Sequence, residues 1–306
     1  MRRVISFQRI MTDQGSQTNA TAPQRFRLPL SWLGVAPFFI FALMFLILPT
    51  FRLIVGAFEN PEGHFTLENI QALAQPSIVS AYVISLKVSI ASALLGAFAG
   101  FALATAIVRG GLPEWVRAST LTFSGVSSNF AGVPLAFAFL ATLGRLGLVT
   151  VLLNNWVGFN IYAVGFNLLS FWGLTITYLY FQIPLMVLII TPALDGLKRE
   201  WGEAAATLGA SNWQYWRMVL IPVLWPSFLG TVILLFANAF GAIATAYALT
   251  GSSLNIVPIL LYAQIRGDVL HNPNLGYALA MGMIFITGAS NLAYLWFRTR
   301  SERWLK

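Results

Sequence analysis

Long stretches without a single Asp, Glu, Lys or Arg constrain this chain more than any other feature. Residues 28–51, 88–108, 118–144, 146–194, 218–265 and 269–297 all lack those four residue types. A helix crosses the ~30 Å hydrocarbon layer of a bilayer with about 20 apolar residues, so every one of these runs is long enough to span. Soluble domains carry about 25% charged residues. Here 9% of 306 residues are charged and 58% are hydrophobic, too little charge to clothe a water-facing surface of that size. The pattern predicts an all-α, polytopic membrane protein.

Two runs exceed one crossing and are cut where polarity interrupts them. Asn154, Asn155, Gly158 and Asn160 punctuate the fourth run, and Thr250-Gly251-Ser252-Ser253 the fifth. Six spans result, near residues 32–57, 78–108, 119–143, 170–193, 219–248 and 277–297. They form a membrane domain over 30–297, with a polar lead-in at 1–29 and a short tail at 298–306. Pro37, Pro49, Pro134, Pro184, Pro222 and Pro226 fall inside spans and read as kinks, which membrane helices tolerate when neighbours satisfy the freed backbone groups. Residues 146–166 read as an outer-surface or re-entrant segment, 59–77 as a turn with a short helix, and 254–266 as an outer or re-entrant helix.

Basic residues set orientation, because cytoplasmic loops carry an excess of Lys and Arg. With a cytoplasmic N-terminus, the inner segments hold Arg2, Arg3, Arg9, Arg25, Arg27, Arg109, Arg117, Lys198, Arg199, Arg217, Arg298, Arg300, Arg303 and Lys306, fourteen of the 18 basic residues. Arg145 and Arg266 fall outside, and Arg52 and Lys87 within spans. A seventh span at 146–166 would move the basic residues of later loops to the outer side, against this bias. The net charge of +8 thus orients the chain in a bilayer, and no nucleic-acid partner is expected.

The absence of cysteine removes disulfides, thiolate metal sites and cysteine nucleophiles together, and the two histidines, His64 and His271, are isolated. No catalytic residue and no metal site is expected. Intramembrane ionisable groups mark function by default, yet Arg52 and Lys87 lie toward span ends, where long stems snorkel to the headgroups. No Asp or Glu falls inside a span, and no pair of broken helices in matching halves is evident, so an ion-coupled transporter has little to work with. Lys87, Asn129, Gln182 and Asn238 are the pathway candidates, with helix-to-helix hydrogen bonding as the competing role of the three amides. Tyr178, Tyr180 and Tyr247 are aromatic candidates in which packing is the competing role. Gly96 and Gly100 form a small-xxx-small packing face.

The loop between the fourth and fifth spans, 195–217, is the most informative segment. Leu197, Trp201, Ala204, Ala205 and Leu208 recur at helical spacing and predict an amphipathic helix with Asp195 as N-cap and Gly209 just past its end. Ser211 and Gln214 match a capping box that opens a second helix carrying Trp213, Tyr215 and Trp216. On physics alone, this is either an interfacial hairpin or a docking element for a cytoplasmic protein.

Glu203-Ala204-Ala205, three residues, Gly209, nine residues and Val219-Leu220-Ile221-Pro222 resemble the EAA loop of permease subunits in binding-protein-dependent ABC importers. Val219 and Ile221 depart conservatively from that pattern, and the wider resemblance covers 30–297. The resemblance implies a type I importer permease of MetI-like architecture, without chemistry of its own. ATP and Mg would be bound by a dimer of separate ATPase subunits. The other partners it implies are a second permease subunit, a paralogue by this resemblance, and a soluble or lipid-anchored substrate-binding protein. Glu203, Ala204, Ala205, Gly209 and Pro222 would couple the permease to the ATPase, with Leu197, Trp201, Leu208, Trp213 and Trp216 at the docking surface. Within the family the chain most resembles the polyamine branch, through Gly63-His64-Phe65-Thr66-Leu67-Glu68-Asn69 and the 236–251 region, although Lys87 and the lack of span carboxylates give a cationic path no support. Permeases for phosphonate, iron or other small solutes remain alternatives, as does an ion-coupled secondary transporter.

Overall fold

The computed structural model describes residues 31–266 and 272–302, and among these the only non-helical pairing is an isolated bridge between Glu59 and Phe65. The lead-in at 1–29, Gly267, Asp268, His271 and the final residues 303–306 of the tail lie outside the described residues. Six helices are long and apolar enough to cross a membrane: Gly34–Gly56 (α1), Pro76–Arg109 (α3), Val133–Val157, Phe171–Asp195 (α7), Asn212–Phe240 (α9) and Pro273–Phe297. The other elements are Glu68–Ala72 (α2), Glu114–Asn129 (α4), Val133–Leu143 (α5), Leu148–Leu152 (α6), Arg199–Thr207 (α8), Ile243–Thr250 (α10), Val257–Arg266 (α11) and the full last helix Pro273–Glu302 (α12).

Two compact units are present, Met1–Pro49 and Thr50–Lys306. In the first, no described residue of 34–49 is buried, and Phe38, Phe39, Phe41 and Phe45 are all exposed. Pro49 has no N–H to donate, and the turn before it, Leu43–Ile47, widens to a π-helix in which the Leu48 N–H reaches back to the Leu43 carbonyl.

In the second unit α7 is the central element. It packs against α3, α4 and α9, while α12 packs on α9 and α11. Glycine sets the α3–α7 approach. A Cβ on Gly96 would stand 2.6 Å from the Gln182 Cβ, and one on Gly100 would stand 2.6 Å from the Met186 Cβ and 2.7 Å from the Ile183 carbonyl oxygen. Backbones meet closely only where such residues face each other, as the small-xxx-small reading expects. Thr175, Thr177 and Thr191 return their hydroxyls to the carbonyls four residues earlier, so these three are satisfied within α7.

Three apolar clusters fill the unit. One joins Ala93, Ala97, Met186, Val187, Ile190, Leu194, Leu224 and Leu235 at the 195–217 end of the bundle. A second joins Val88, Leu135, Leu174, Tyr178, Phe181, Ala246 and Ile256 at the opposite end. The third, around Ile78, Ala81, Val257 and Leu279, packs α3 against α11 and α12. The turn at 60–64 is closed by the Asn60 side chain, which accepts from the Glu62 and His64 N–H groups, and the short helix after it is α2. Asn69 and Asn274 both donate to the Glu59 carbonyl, fixing that turn on the first turn of α12.

Two helices are broken where continuous spans were expected. The stretch 119–143 is α4 and α5, separated at 130–132, where Gly132 adopts φ 79° and ψ −150°, a conformation open to glycine alone. The apolar stretch long enough to cross there is Val133–Val157, interrupted at 144–147, and it takes in part of the segment expected at the surface. The stretch 219–248 breaks after Phe240, at Gly241 and Ala242, before α10 begins. The breaks are tied together: the Gly132 N–H donates to the Thr245 hydroxyl at 2.7 Å, and the Tyr178 hydroxyl donates to the Ala242 carbonyl at 2.8 Å.

Candidate functional site

The loop at 195–217 folds as a helix, a glycine turn and the start of a second helix. Asp195 is the last residue of α7, not the cap of α8, and its carboxylate meets Arg117 at 2.7 Å. Lys198 occupies the N-cap position with extended backbone and no side-chain bond. The first turn of α8 is instead aided by Glu200 at the positive end of the helix dipole, and Arg199 and Glu203 pair at 3.5 Å along the helix. At its C-terminus the Ala210 N–H reaches the Ala205 carbonyl and the Gly209 N–H reaches that of Ala206, a Schellman closure in which Gly209 takes φ 74°. The capping box forms as expected: the Gln214 N–H donates to the Ser211 hydroxyl, and the Ser211 N–H to the Gln214 side chain.

This second helix is not separate. The Ile221 N–H bonds back to the Trp216 carbonyl across the π turn Trp216–Leu220, and that widened turn absorbs the donor missing at Pro222. The helix opened at Asn212 thus runs on through Phe240 as α9.

The expected apolar stripe divides. Leu197 precedes α8 and packs with the Leu194 cluster, and Trp201 and Ala205 are half-buried. Glu203, Ala204 and Gly209 are exposed, as are Leu208 at 87% and Trp213 at 69%. Trp216 turns inward with the buried Tyr215, and the Arg109 guanidinium, at the end of α3, lies over both rings at 5.7 and 5.9 Å. The other side of Tyr215 faces Gly202, where an added Cβ would sit 3.6 Å from the phenol oxygen. Arg109, Tyr215 and Gly202 therefore join the end of α3, the start of α9 and α8. Sequence reasoning counted Arg109 only as an orienting charge; an arginine four residues after Thr105, across from paired aromatics, was the available signal. The three elements line an open cavity of about 660 Å³.

The pathway candidates separate. Gln182 is fully buried at the α3–α7–α9 crossing, its amide donating to the Leu235 carbonyl at 2.9 Å while Oε1 has no partner. Lys87 is exposed and makes no ion pair among the described residues, whereas Arg52 is held by Glu59 at 2.6 Å. Asn129 and Asn238 are exposed, the first ending α4 beside one helix break and the second three residues before the other. Tyr178 is buried and Tyr180 packs between Phe130 and Phe139, while the exposed Tyr247 meets Tyr262 with the rings tilted at 46°. Arg145, in the interruption at 144–147, lies over the ring of Tyr162, which is outside the spans; burial pushes that phenol's pKa up, and the hydroxyl stays a donor to the Leu143 carbonyl.

Residues 112–306 match the sequence pattern of a family described as "binding-protein-dependent transport system inner membrane component". A probable sulfate transport system permease protein of Zygnema circumcarinatum is 29% identical over 204 residues, 66% of this chain and 65% of the relative, so the chain spans just under two thirds of that protein. The sulfate transport system permease protein of Escherichia coli (strain K12) is 26% identical over 242 residues, 78% of this chain and 83% of that one. In fold, the chain resembles a protein in a crystal structure of a bacterial ABC transporter that imports the acidic polysaccharide alginate, with TM-score 0.69, 19% identity and coverage of 90% and 96%. These relatives do not include a polyamine permease, so the similarity supports a permease but not the polyamine branch named from the sequence.

Proposed function

The chain belongs to the family of inner membrane components of binding-protein-dependent transport systems, and from that premise we propose that it is one of two membrane-spanning subunits of an ATP-driven importer for a small solute. The family is one of transport permeases, and the ATP chemistry belongs to a separate subunit. One observation carries the coupling assignment: a capped helix ending in a positive-φ glycine, with Glu203, Leu208 and Trp213 exposed at one end of the bundle. That end would be cytoplasmic, as the distribution of Lys and Arg argues. An ATPase dimer bound there would shift the permease between inward-open and outward-open states, a two-state equilibrium biased by a ligand bound elsewhere. A second permease and an external binding protein complete the device.

We further propose a small oxyanion of the sulfate type as the substrate class. Both sulfate permease relatives favour it. The span interiors agree, since they hold the exposed cation Lys87 and, among the described residues, no carboxylate away from the helix ends. The test is uptake of sulfate and of a polyamine by the reconstituted transporter. Uptake of sulfate that requires ATP supports the reading; uptake of the polyamine alone overturns the substrate class, and uptake that follows an ion gradient without ATP overturns the importer. For the loop, Glu203→Lys is expected to insert normally but to lose copurification of the ATPase, and undiminished copurification refutes the docking assignment.

A further inference from the structure

The cavity behind the coupling hairpin is more than a packing gap. Arg109 is the sole charged side chain on its wall, with Thr105, Asn212, Tyr215 and Trp216 and small residues such as Ala106 making up most of the rest. No carboxylate lines it, and Arg109 makes no ion pair among the described residues. Its guanidinium is instead held in place by two aromatic faces, which fix a cation without neutralising it. Thr105, one turn earlier on the same face of α3, has a buried hydroxyl with no hydrogen-bond partner. Asn212 adds an amide at the N-terminus of α9, where the helix dipole favours negative charge.

We propose that this cavity binds a phosphate group, and that its ordinary source is the headgroup of an anionic phospholipid. Arg109 and Asn212 supply a charged guanidinium and an amide on one space, a match for phosphate oxygens, and the Thr105 hydroxyl lies buried behind them without a partner. The site lies where α3 ends and the apolar part of α9 begins, the depth at which basic pockets between spans take acidic headgroups. Its volume of about 660 Å³, open to the surface, is ample for a glycerophosphoryl group. The proposal needs only that these helices cross a bilayer and does not depend on the transported solute.

The test measures binding of phosphatidylglycerol, phosphatidylcholine and inorganic phosphate to the purified transporter, by native mass spectrometry and by thermal stabilisation. Phosphatidylglycerol is expected to bind and phosphatidylcholine not. Arg109→Gln should weaken phosphatidylglycerol about fivefold, the weight of one basic side chain at an anionic surface. Ala106→Leu keeps the charge but fills the cavity and should weaken it similarly, which guards against a folding defect in the arginine variant. Arg145→Gln, at another cation, should change nothing. Stabilisation by inorganic phosphate that is lost in Arg109→Gln would uphold the site and identify the free ion as its source. Equal phosphatidylglycerol affinity in wild type, Arg109→Gln and Ala106→Leu overturns the proposal. So does an Arg109→Gln variant that loses the ATPase while keeping the lipid, because Arg109 would then serve a carboxylate of that subunit.

Discussion

Helices α7 and α8 are neighbours in sequence and opposites in what holds them. Thirteen residues of α7 are buried, from Gly173 to Leu194, and its neighbours press on it from several sides. Helix α8 buries none. It holds its shape by local devices: an acidic first turn, an i,i+4 ion pair and a Schellman closure. An isolated nine-residue helix is marginal in water. The contrast teaches that α7 is positioned by the fold, whereas α8 is presented by it and keeps its outer face uncovered.

Substitutions can break that contrast from either side. The largest effect is expected at the α3–α7 contact, where Gly100→Leu forces atoms into Met186 and the Ile183 carbonyl. A loss of about 3 kcal/mol, at the upper end for overpacked cores, should appear as poor yield and a lowered Tm. Gly209→Val comes next. A β-branched residue at φ 74° costs about 1–2 kcal/mol, confined to the end of α8. Yield and Tm should therefore hold while ATP-dependent uptake falls at least about tenfold, and normal uptake would show that the turn does not couple. Gln182→Leu removes a hydrogen bond worth about 0.6 kcal/mol in membranes but also an oxygen buried without a partner. The two nearly cancel, so Tm should move little, and a large drop would mean that Oε1 is engaged. Comparably small is Arg117→Gln, which removes a half-exposed pair with Asp195 worth about 0.5 kcal/mol, an effect that should fade at high salt.

The sequence made the spans legible because hydropathy tracks the bilayer directly: among the described residues, four of the six crossing helices fall within a few residues of the expected spans. The caps at Gly209, Ser211 and Gln214 were legible too, being local and residue-specific. The breaks at Gly132 and Gly241 were not, since apolar windows are blind to a single glycine whose conformation is dictated by contacts 113 residues away in sequence, as from Gly132 to Thr245. Asp195 was misplaced for a related reason. Its partner, Arg117, lies on another helix, and nothing local distinguishes a last residue from a cap. Leu197 fitted a helical stripe by spacing but sits before α8 begins, where it packs with the bundle core.

The π turn before Pro222 has a mechanical consequence. Because it keeps Asn212–Phe240 unbroken for 29 residues, about 43 Å at 1.5 Å per residue, the hairpin has no hinge at the membrane surface. The rod carries Pro226 within it, and its first break is at Gly241, beside the carbonyl that Tyr178 grips. If an ATPase pushes on the hairpin, as proposed, the push would be delivered at the far end of that helix, among the paired helix breaks, with Pro222 accommodated on the way.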